Sequence, residues 1–563
     1  MYLEKIKSPA FWETVRTDPR YRFLIDKLLE QYNQYAQGEI PDISHDAFMH
    51  YHRTGSRHEF EYNYYFPRRQ RLNACAFLSL IYPDNAAYFS NLCNTIWAIL
   101  NEYCWALPNH NATSDTVYCD DYIDLFAAET GYALSEIHYL LGDRFDTIMN
   151  ERLRHAIDHR IIQSFIHRAY GWETVRNNWA AVCAGSVAVA FMYERPDLYP
   201  LVRPRIDSAM DHFLSSFKDD GVCQEGFGYW GYGFGFYVCY AQHLLEFTKG
   251  EINLFENEKV RRIAQFPNLI YLSGNATVSF SDGGRNSAIN LGTVSLLRSH
   301  YGDILPVLPR SFYAVSDQCA RWSVHMMSFA FFDPDMNFDA PQQDATFYLD
   351  QTGWFIRKNA AYGFAAKAGS NDEPHNHNDV GSFIVATGGS QVLADLGAGV
   401  YTRDYFDPQT RYSILCNRSL GHSVPLLDGM EQREGASYQG TMDYDGETVR
   451  IDMLGAYPPC RVSGLKRAFT FTGNRVTLTD SYTYTEPCPV MERFVSLVEP
   501  VISDSRITLG PVTLTIDPHW RCAVSHDLHS KHAKEDDYLD VYLLDFTPLT
   551  PGETTFTLTA QVG

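Results

Sequence analysis

The period of the hydrophobic pattern changes once along this chain, and that change limits the folds open to it. From Phe11 to about Phe331 apolar residues recur at helical spacing, as in Trp97-Ala-Ile-Leu-Asn-Glu-Tyr, Tyr132-Ala-Leu-Ser-Glu-Ile-His-Tyr-Leu-Leu and Tyr237-Val-Cys-Tyr-Ala-Gln-His-Leu-Leu-Glu-Phe. These segments lie roughly 50 residues apart, with turns such as Glu194-Arg-Pro-Asp between them. That is the spacing of helical hairpins, which bury their inner faces on their neighbours and often close into an incomplete ring. After Phe332-Asp-Pro-Asp the period falls to two: Thr346-Phe-Tyr-Leu, Trp354-Phe-Ile-Arg, Phe383-Ile-Val-Ala-Thr, Arg475-Val-Thr-Leu-Thr and Thr555-Phe-Thr-Leu-Thr read as strands. The expected fold is multidomain α+β, with a helical (α/α) toroid over 1–335, an antiparallel β-sandwich over 336–490 and a terminal β-sheet extension over 491–563.

Charge and composition narrow the partners. A net charge of −22 argues against nucleic acid, which needs a basic footprint, but leaves room for a local cationic groove such as one lined by Arg68, Arg69 and Arg71. Aromatic residues reach 14%, which suits either a surface that stacks on sugar rings or a large aromatic core. The twelve cysteines include no C-x-x-C pair, and Cys75, Cys183 and Cys239 sit in apolar stretches, so they read as buried free thiols of a reducing compartment. Met1-Tyr-Leu-Glu-Lys lacks the apolar core of a signal peptide, and the expectation is a cytoplasmic protein; a secreted or periplasmic chain stripped of its leader reads the same. The apolar run over 182–193 is interrupted by Gly185 and Ser186 and is too short to span a bilayer. Membrane and nucleic acid are thus excluded as partners, and a homodimer is left open.

Three places concentrate polar residues beyond what packing requires. Arg176-Asn-Asn-Trp-Ala opens an apolar helix; Asn177 reads as its cap, leaving Asn178 and Trp179 at a helix N-terminus that stabilises a carboxylate. Glu225-Gly-Phe-Gly-Tyr-Trp-Gly-Tyr-Gly-Phe-Gly-Phe carries five glycines in eleven residues, which suits either close approach of a ligand, with Tyr229, Trp230 and Tyr232 around it, or a turn with packing aromatics. His375-Asn-His-Asn-Asp-Val-Gly-Ser-Phe enters a strand with two histidines and an aspartate that are costly to bury unless they bind or react. With Asp395 and His422, His377 would complete two imidazoles and a carboxylate, a set suited to zinc.

Taken together and in this order, Tyr65-Phe-Pro-Arg-Arg, Asn-Asn-Trp, Glu-Gly-x-x-Tyr-Trp-x-Tyr-Gly, His-x-His-x-Asp-x-Gly-Ser-Phe, the Ala-Asp step at 394 and 395 and Gly-His-Ser at 421 resemble the heparinase II/III-like polysaccharide lyases, which include alginate and oligoalginate lyases. The resemblance implies an (α/α) toroid followed by a β-sandwich and cleavage of a uronic-acid polymer by β-elimination. It implies catalytic roles for Asn178, Tyr232 and His375, with Tyr229 the alternative to Tyr232, and a structural divalent metal, zinc or manganese, on His377, Asp395 and His422. Trp179 stands where some branches carry a histidine, which removes a second imidazole from the helical side. Trp179, Glu225, Tyr229, Trp230 and Tyr401 are expected against the sugar, with Arg403 and Arg411 pairing its carboxylates or sulfates, which favours heparan, chondroitin or hyaluronan over alginate. A toroid hydrolase using Asp220 and Glu225, or a non-catalytic glycan-binding protein, are the rival readings.

Overall fold

The computed structural model describes residues 2–111, 119–302, 308–317, 319–336, 338, 343–503, 505–532 and 537–563. The chain forms two compact units, a helical one made of Met1–Ser216, Trp230–Ala264 and Ile289–Asp339, and a sheet unit made of Phe217–Tyr229, Gln265–Ala288 and Ala340–Gly563.

At the centre of the helical unit, helices Leu125–Leu141 and Asn178–Glu194 pack on each other. Thirteen of the 17 residues of Asn178–Glu194 are buried, so this helix is apolar all round and lies inside the unit rather than on its surface. Helices Arg22–Tyr35, Phe66–Ile81 and Ala86–Leu100 pack in sequence order. Polar groups in this interior are paired. Arg68 and Arg69 reach Glu102 at 3.1 and 2.7 Å, and Arg71 donates to the carbonyls of Tyr35 and Gly38, so these three arginines brace the helices and do not line a cationic groove. Glu136 accepts from Tyr2 at 2.9 Å, Tyr193 at 2.7 Å and Trp322 at 2.5 Å.

The sheet unit holds two nine-stranded antiparallel sheets. In one, Val490–Ser496 lies between Ser390–Leu393 and Tyr538–Pro548, and Phe383–Thr387, Gly363–Lys367, Trp354–Lys358 and Ala345–Leu349 follow outward. In the other, Thr555–Val562 pairs with both Arg475–Tyr484 and Val512–Ile516. A single hydrophobic cluster joins them: Phe364 and Phe383 from the first meet Phe469 from the second at ring distances of 4.9 and 5.1 Å. Strands of the second sheet alternate buried and exposed residues, whereas Gly363–Lys367 is buried throughout. Its outer face is covered by Tyr271–Ser273: a Cβ on Gly363 would lie 2.4 Å from Leu272.

These units differ from the divisions read off the sequence. Phe217–Tyr229 and Gln265–Ala288, expected among the helices, pack in the sheet unit. The stretch after 490 forms no body of its own, because its strands pair inside both sheets with partners far back in the chain, and strand order is invisible to a hydrophobic period. All twelve cysteines are free thiols, and no helix among the described residues is long and apolar enough to cross a membrane.

Candidate active site

In the helical unit the marked residues gather at the N-terminus of Asn178–Glu194. Asn177 caps this helix by accepting the Trp179 amide at 3.1 Å, so Asn178 is its first residue, buried where the helix dipole favours an anion. The glycine-rich stretch is wound, not looped: Trp230–Phe234 forms one π-helical turn leading into helix Gly235–Phe247, a geometry that recurs at functional sites. Gly233 presses the turn against the Asn178 helix, since a Cβ there would lie 3.1 Å from the Asn178 Cα and 2.9 Å from the Phe213 ring. The turn also sorts its aromatics. Trp230 is fully buried and donates its indole N–H to the Ile263 carbonyl at 2.8 Å; it is a core residue and not a sugar platform. Trp179 is half-buried, with its ring edge-on to His110 at 4.7 Å.

Tyr232 emerges beside groups that sequence reasoning missed. Its hydroxyl donates to Glu129 Oε1 at 2.5 Å; Arg321 lies 3.7 Å over its ring, reaches the same carboxylate at 3.4 Å and is held by Asp317 at 2.6 Å. Burial raises the Tyr232 phenol well above its ordinary value and Glu129 adds to this, with Arg321 opposing. Glu129 sits seven residues before Glu136 on the same helix, and two acids on one face of an apolar helix were the signal available.

Burial also pushes the Glu129 carboxyl from 4.5 up to about 7, against the pull of Arg321. Folded protein then holds a proton that unfolded chain has released between these values, so this contribution to stability is complete below 4.5 and lost as pH rises to about 7. The slope for one proton is about 1.4 kcal/mol per pH unit. Urea unfolding of wild type and Glu129→Gln should therefore diverge across that window, wild type losing stability relative to the variant as pH rises; parallel curves would mean that Glu129 stays ionised throughout.

In the sheet unit Asp282, also unmarked by sequence, organises the site. Its Oδ2 accepts His375 Nδ1 and the Tyr401 hydroxyl, both at 2.6 Å, and its Oδ1 accepts His377 Nε2 at 3.0 Å and the Tyr405 hydroxyl. Burial raises this carboxyl, but the two imidazoles outweigh it and hold Asp282 well below the usual carboxylate range. Burial lowers His375, and Asp282 with Glu225 more than restore it. Tyr229 stacks on His375 at 4.4 Å and its hydroxyl meets that of Tyr401 at 2.5 Å. Glu225 is buried with Oε2 3.8 Å from His375 Nε2. Asp282 hid in Ser281-Asp-Gly-Gly, which reads as an ordinary turn.

Other sequence expectations change here. Arg411 donates to the carbonyls of Tyr405 and Asn376, both at 2.9 Å, so it fastens the histidine loop instead of waiting for an anion. Tyr401 has its hydroxyl bound between Tyr229 and Asp282, which makes it part of the support. Arg403 is exposed on the short helix Arg403–Phe406. Asp220 spends both oxygens on Thr352, at 2.8 Å each, which removes the proposed partner of Glu225 in a hydrolase.

His377, Asp395 and His422 converge, all buried, with one ligand atom from each lying within 4.8 Å of the others. The donor chemistry fits a divalent ion. His377 gives its Nε2–H to Asp282, and its Nδ1 is buried with no hydrogen-bond partner. His422 Nε2 contacts the Cys416 carbonyl at 2.7 Å, and its Nδ1 lies 3.0 Å from Asp395 Oδ2. Asp379 Oδ2, also buried and unpaired, lies 4.0 Å from that nitrogen. Ring nitrogens and a carboxylate oxygen brought this close, each ring anchored through its other nitrogen, are what zinc-type sites present.

The fold of this chain, a helical unit followed by a sheet unit, is shared with crystal structures of heparinase III and of a chondroitin AC lyase. The crystal structure of heparinase III superposes with a TM-score of 0.62 at 13% identity, covering 100% of this chain and 91% of that one. A mutant heparan sulfate lyase HepC from Pedobacter heparinus gives 0.59 at 13% identity over 97% and 89%. The Streptomyces coelicolor A3 chondroitin AC lyase in complex with chondroitin sulphate gives 0.59 at 10% identity over 100% and 82%. No family profile matches the chain, and no curated protein matches it in sequence. At such identities the likeness is one of fold.

Proposed function

We propose that this protein is a polysaccharide lyase that cleaves uronic-acid-containing glycosaminoglycans by β-elimination, its helical unit an incomplete (α/α) toroid and its two sheets a β-sandwich. The observation that carries the reading is Tyr232, hydrogen-bonded to Glu129 beneath Arg321 in the turn that Gly233 presses against Asn178, in a fold shared with lyases. Elimination needs the proton alpha to a carboxylate to leave, and it leaves only if the second negative charge on that carboxylate is stabilised as it develops. The Asn178 amide N–H, at a helix N-terminus, supplies that.

Tyr232 is neutral at rest, its hydrogen directed at Glu129, which leaves an oxygen lone pair for the C5 proton. As Tyr232 takes that proton it passes its own to Glu129, and the return transfer protonates O4 as the C4–O4 bond breaks. This serves uronates whose C5 hydrogen and leaving group share a face; for their C5 epimers the base is His375, through Nε2, its Nδ1–H being given to Asp282. His377, Asp395 and His422 would hold a divalent ion, whose part would be to fix the loop that carries His375 and not to act on the sugar.

Glycosaminoglycan is favoured over alginate because partly exposed Trp179 and Tyr229 offer faces to hexosamine rings, and because the fold's relatives include a heparan sulfate lyase and a chondroitin AC lyase bound to chondroitin sulphate. Initial rates of unsaturated-product absorbance on heparan sulfate, chondroitin, hyaluronan and polymannuronate should be appreciable on at least one hexosamine polymer. Cleavage of polymannuronate alone overturns the substrate and keeps the mechanism; product without unsaturation overturns both.

A further inference from the structure

Asp282 is buried among four donors, and a carboxylate has about four lone-pair positions. Because an ionised carboxylate only accepts, every ring nitrogen facing it carries a hydrogen. That single requirement decides the orientation of both histidines of the loop. His377 points Nε2–H at Asp282 and is left with Nδ1, the buried atom without a hydrogen-bond partner, for the ion; His375 points Nδ1–H at Asp282 and is left with Nε2 for substrate.

The surroundings allow Asp282 little movement. Ser281 and His375 both hold φ at 57°, a left-handed backbone that costs a non-glycine residue on the order of 1 kcal/mol or more. A Cβ on Gly226 would lie 2.8 Å from the Gly283 nitrogen, and one on Gly397 would lie 2.1 Å from the Gly283 carbonyl oxygen. Backbone from two other segments thus closes on the residue after Asp282, and the Tyr401 and Tyr405 hydroxyls hold the carboxylate itself.

We propose that Asp282 is the positioning residue that couples the metal centre to His375, one carboxylate setting the nitrogen each histidine presents. An ion on His377 draws electron density from that ring, strengthens its N–H bond to Oδ1 and so alters what Oδ2 offers His375. The mechanistic role of His375 rests on the lyase reading; the coupling does not.

The test uses full-length chain labelled with [15N]histidine, the ring signals of His375 being assigned by their loss in His375→Gln. In zinc-loaded protein His375 should be protonated at Nδ1, and stripping zinc with a chelator should shift its ring nitrogens. Asp282→Asn, which keeps the shape but offers one acceptor oxygen, should mix the His375 tautomers, weaken zinc about 10- to 100-fold in chelator competition, and lower kcat more than KM. Tyr405→Phe, which touches neither histidine, should move the same signals by less, and it serves if Asp282→Asn does not fold. An unmoved His375 signal on zinc removal from wild type, or zinc affinity in Asp282→Asn within about twofold of wild type, overturns the proposal. Should no polymer yield unsaturated product, the lyase reading falls while the zinc and ring-nitrogen measurements still decide the coupling.

Discussion

Tyr232→Phe should lower turnover by about 10²–10⁴-fold, toward the upper end because in the proposed mechanism one hydroxyl serves as both base and acid. The substitution removes a single oxygen. Its ring keeps the Arg321 contact, and Glu129 keeps Arg321 as a partner, so the loss of one hydrogen bond costs roughly 1–2 kcal/mol of stability and the fold survives. Product-absorbance rates and a thermal melt on the same preparation separate the two effects. Tyr229→Phe is the control. It loses the bond to Tyr401 but keeps the stack on His375, and a smaller loss is expected because its hydroxyl is bound to Tyr401, which itself donates to Asp282, and so belongs to the support of His375. Near-normal turnover in Tyr232→Phe with collapse in Tyr229→Phe would exchange the two roles.

The sequence carried the architecture more fully than the site. A switch from helical to two-residue period marks where sheet begins, because burial on one face writes a period into any sequence. It could not show that Gln265–Ala288 covers strand Gly363–Lys367, since a covering segment needs only apolar residues and has no period of its own. Trp230 and Tyr232 show how a local misreading spreads. Taken as a loop, the glycine-rich run presents both; wound into a helical turn, positions two apart point to different sides, and one of them is core. The convergence of His377, Asp395 and His422 follows from ordered motifs, yet the carboxylates behind Tyr232 and His375, Glu129 and Asp282, lie about 100 residues from what they support and carry no motif.

Arg467→Met should destabilise the sheet unit by about 3–5 kcal/mol, because it removes one member of a buried charged network. Arg467 is fully buried, donates to Asp480 at 2.7 Å and to Glu492 at 3.0 Å, and gives its remaining N–H groups to the carbonyls of Gly381 at 2.8 Å and Ser423 at 2.7 Å. Without it two carboxylates share a dry site. Burial and Asp480 already hold Glu492 well above the usual carboxylate range with Arg467 present, so in the variant Glu492 keeps a proton and the destabilisation grows as pH rises. The two carbonyls connect this network to the proposed site: Gly381 ends the histidine loop and Ser423 follows His422, so losing Arg467 loosens the backbone next to the proposed ligands His377 and His422. Amide hydrogen exchange along Val462–Thr472 reads the sheet unit locally, which matters because two units need not unfold as one. Adding Asp480→Asn and Glu492→Gln to Arg467→Met should restore a large part of the protection, since neutral amides no longer repel. If the single variant exchanges like wild type, the network contributes no net stability; if the triple variant is no better than the single, the lost bonds to Gly381 and Ser423 outweigh the stranded charges.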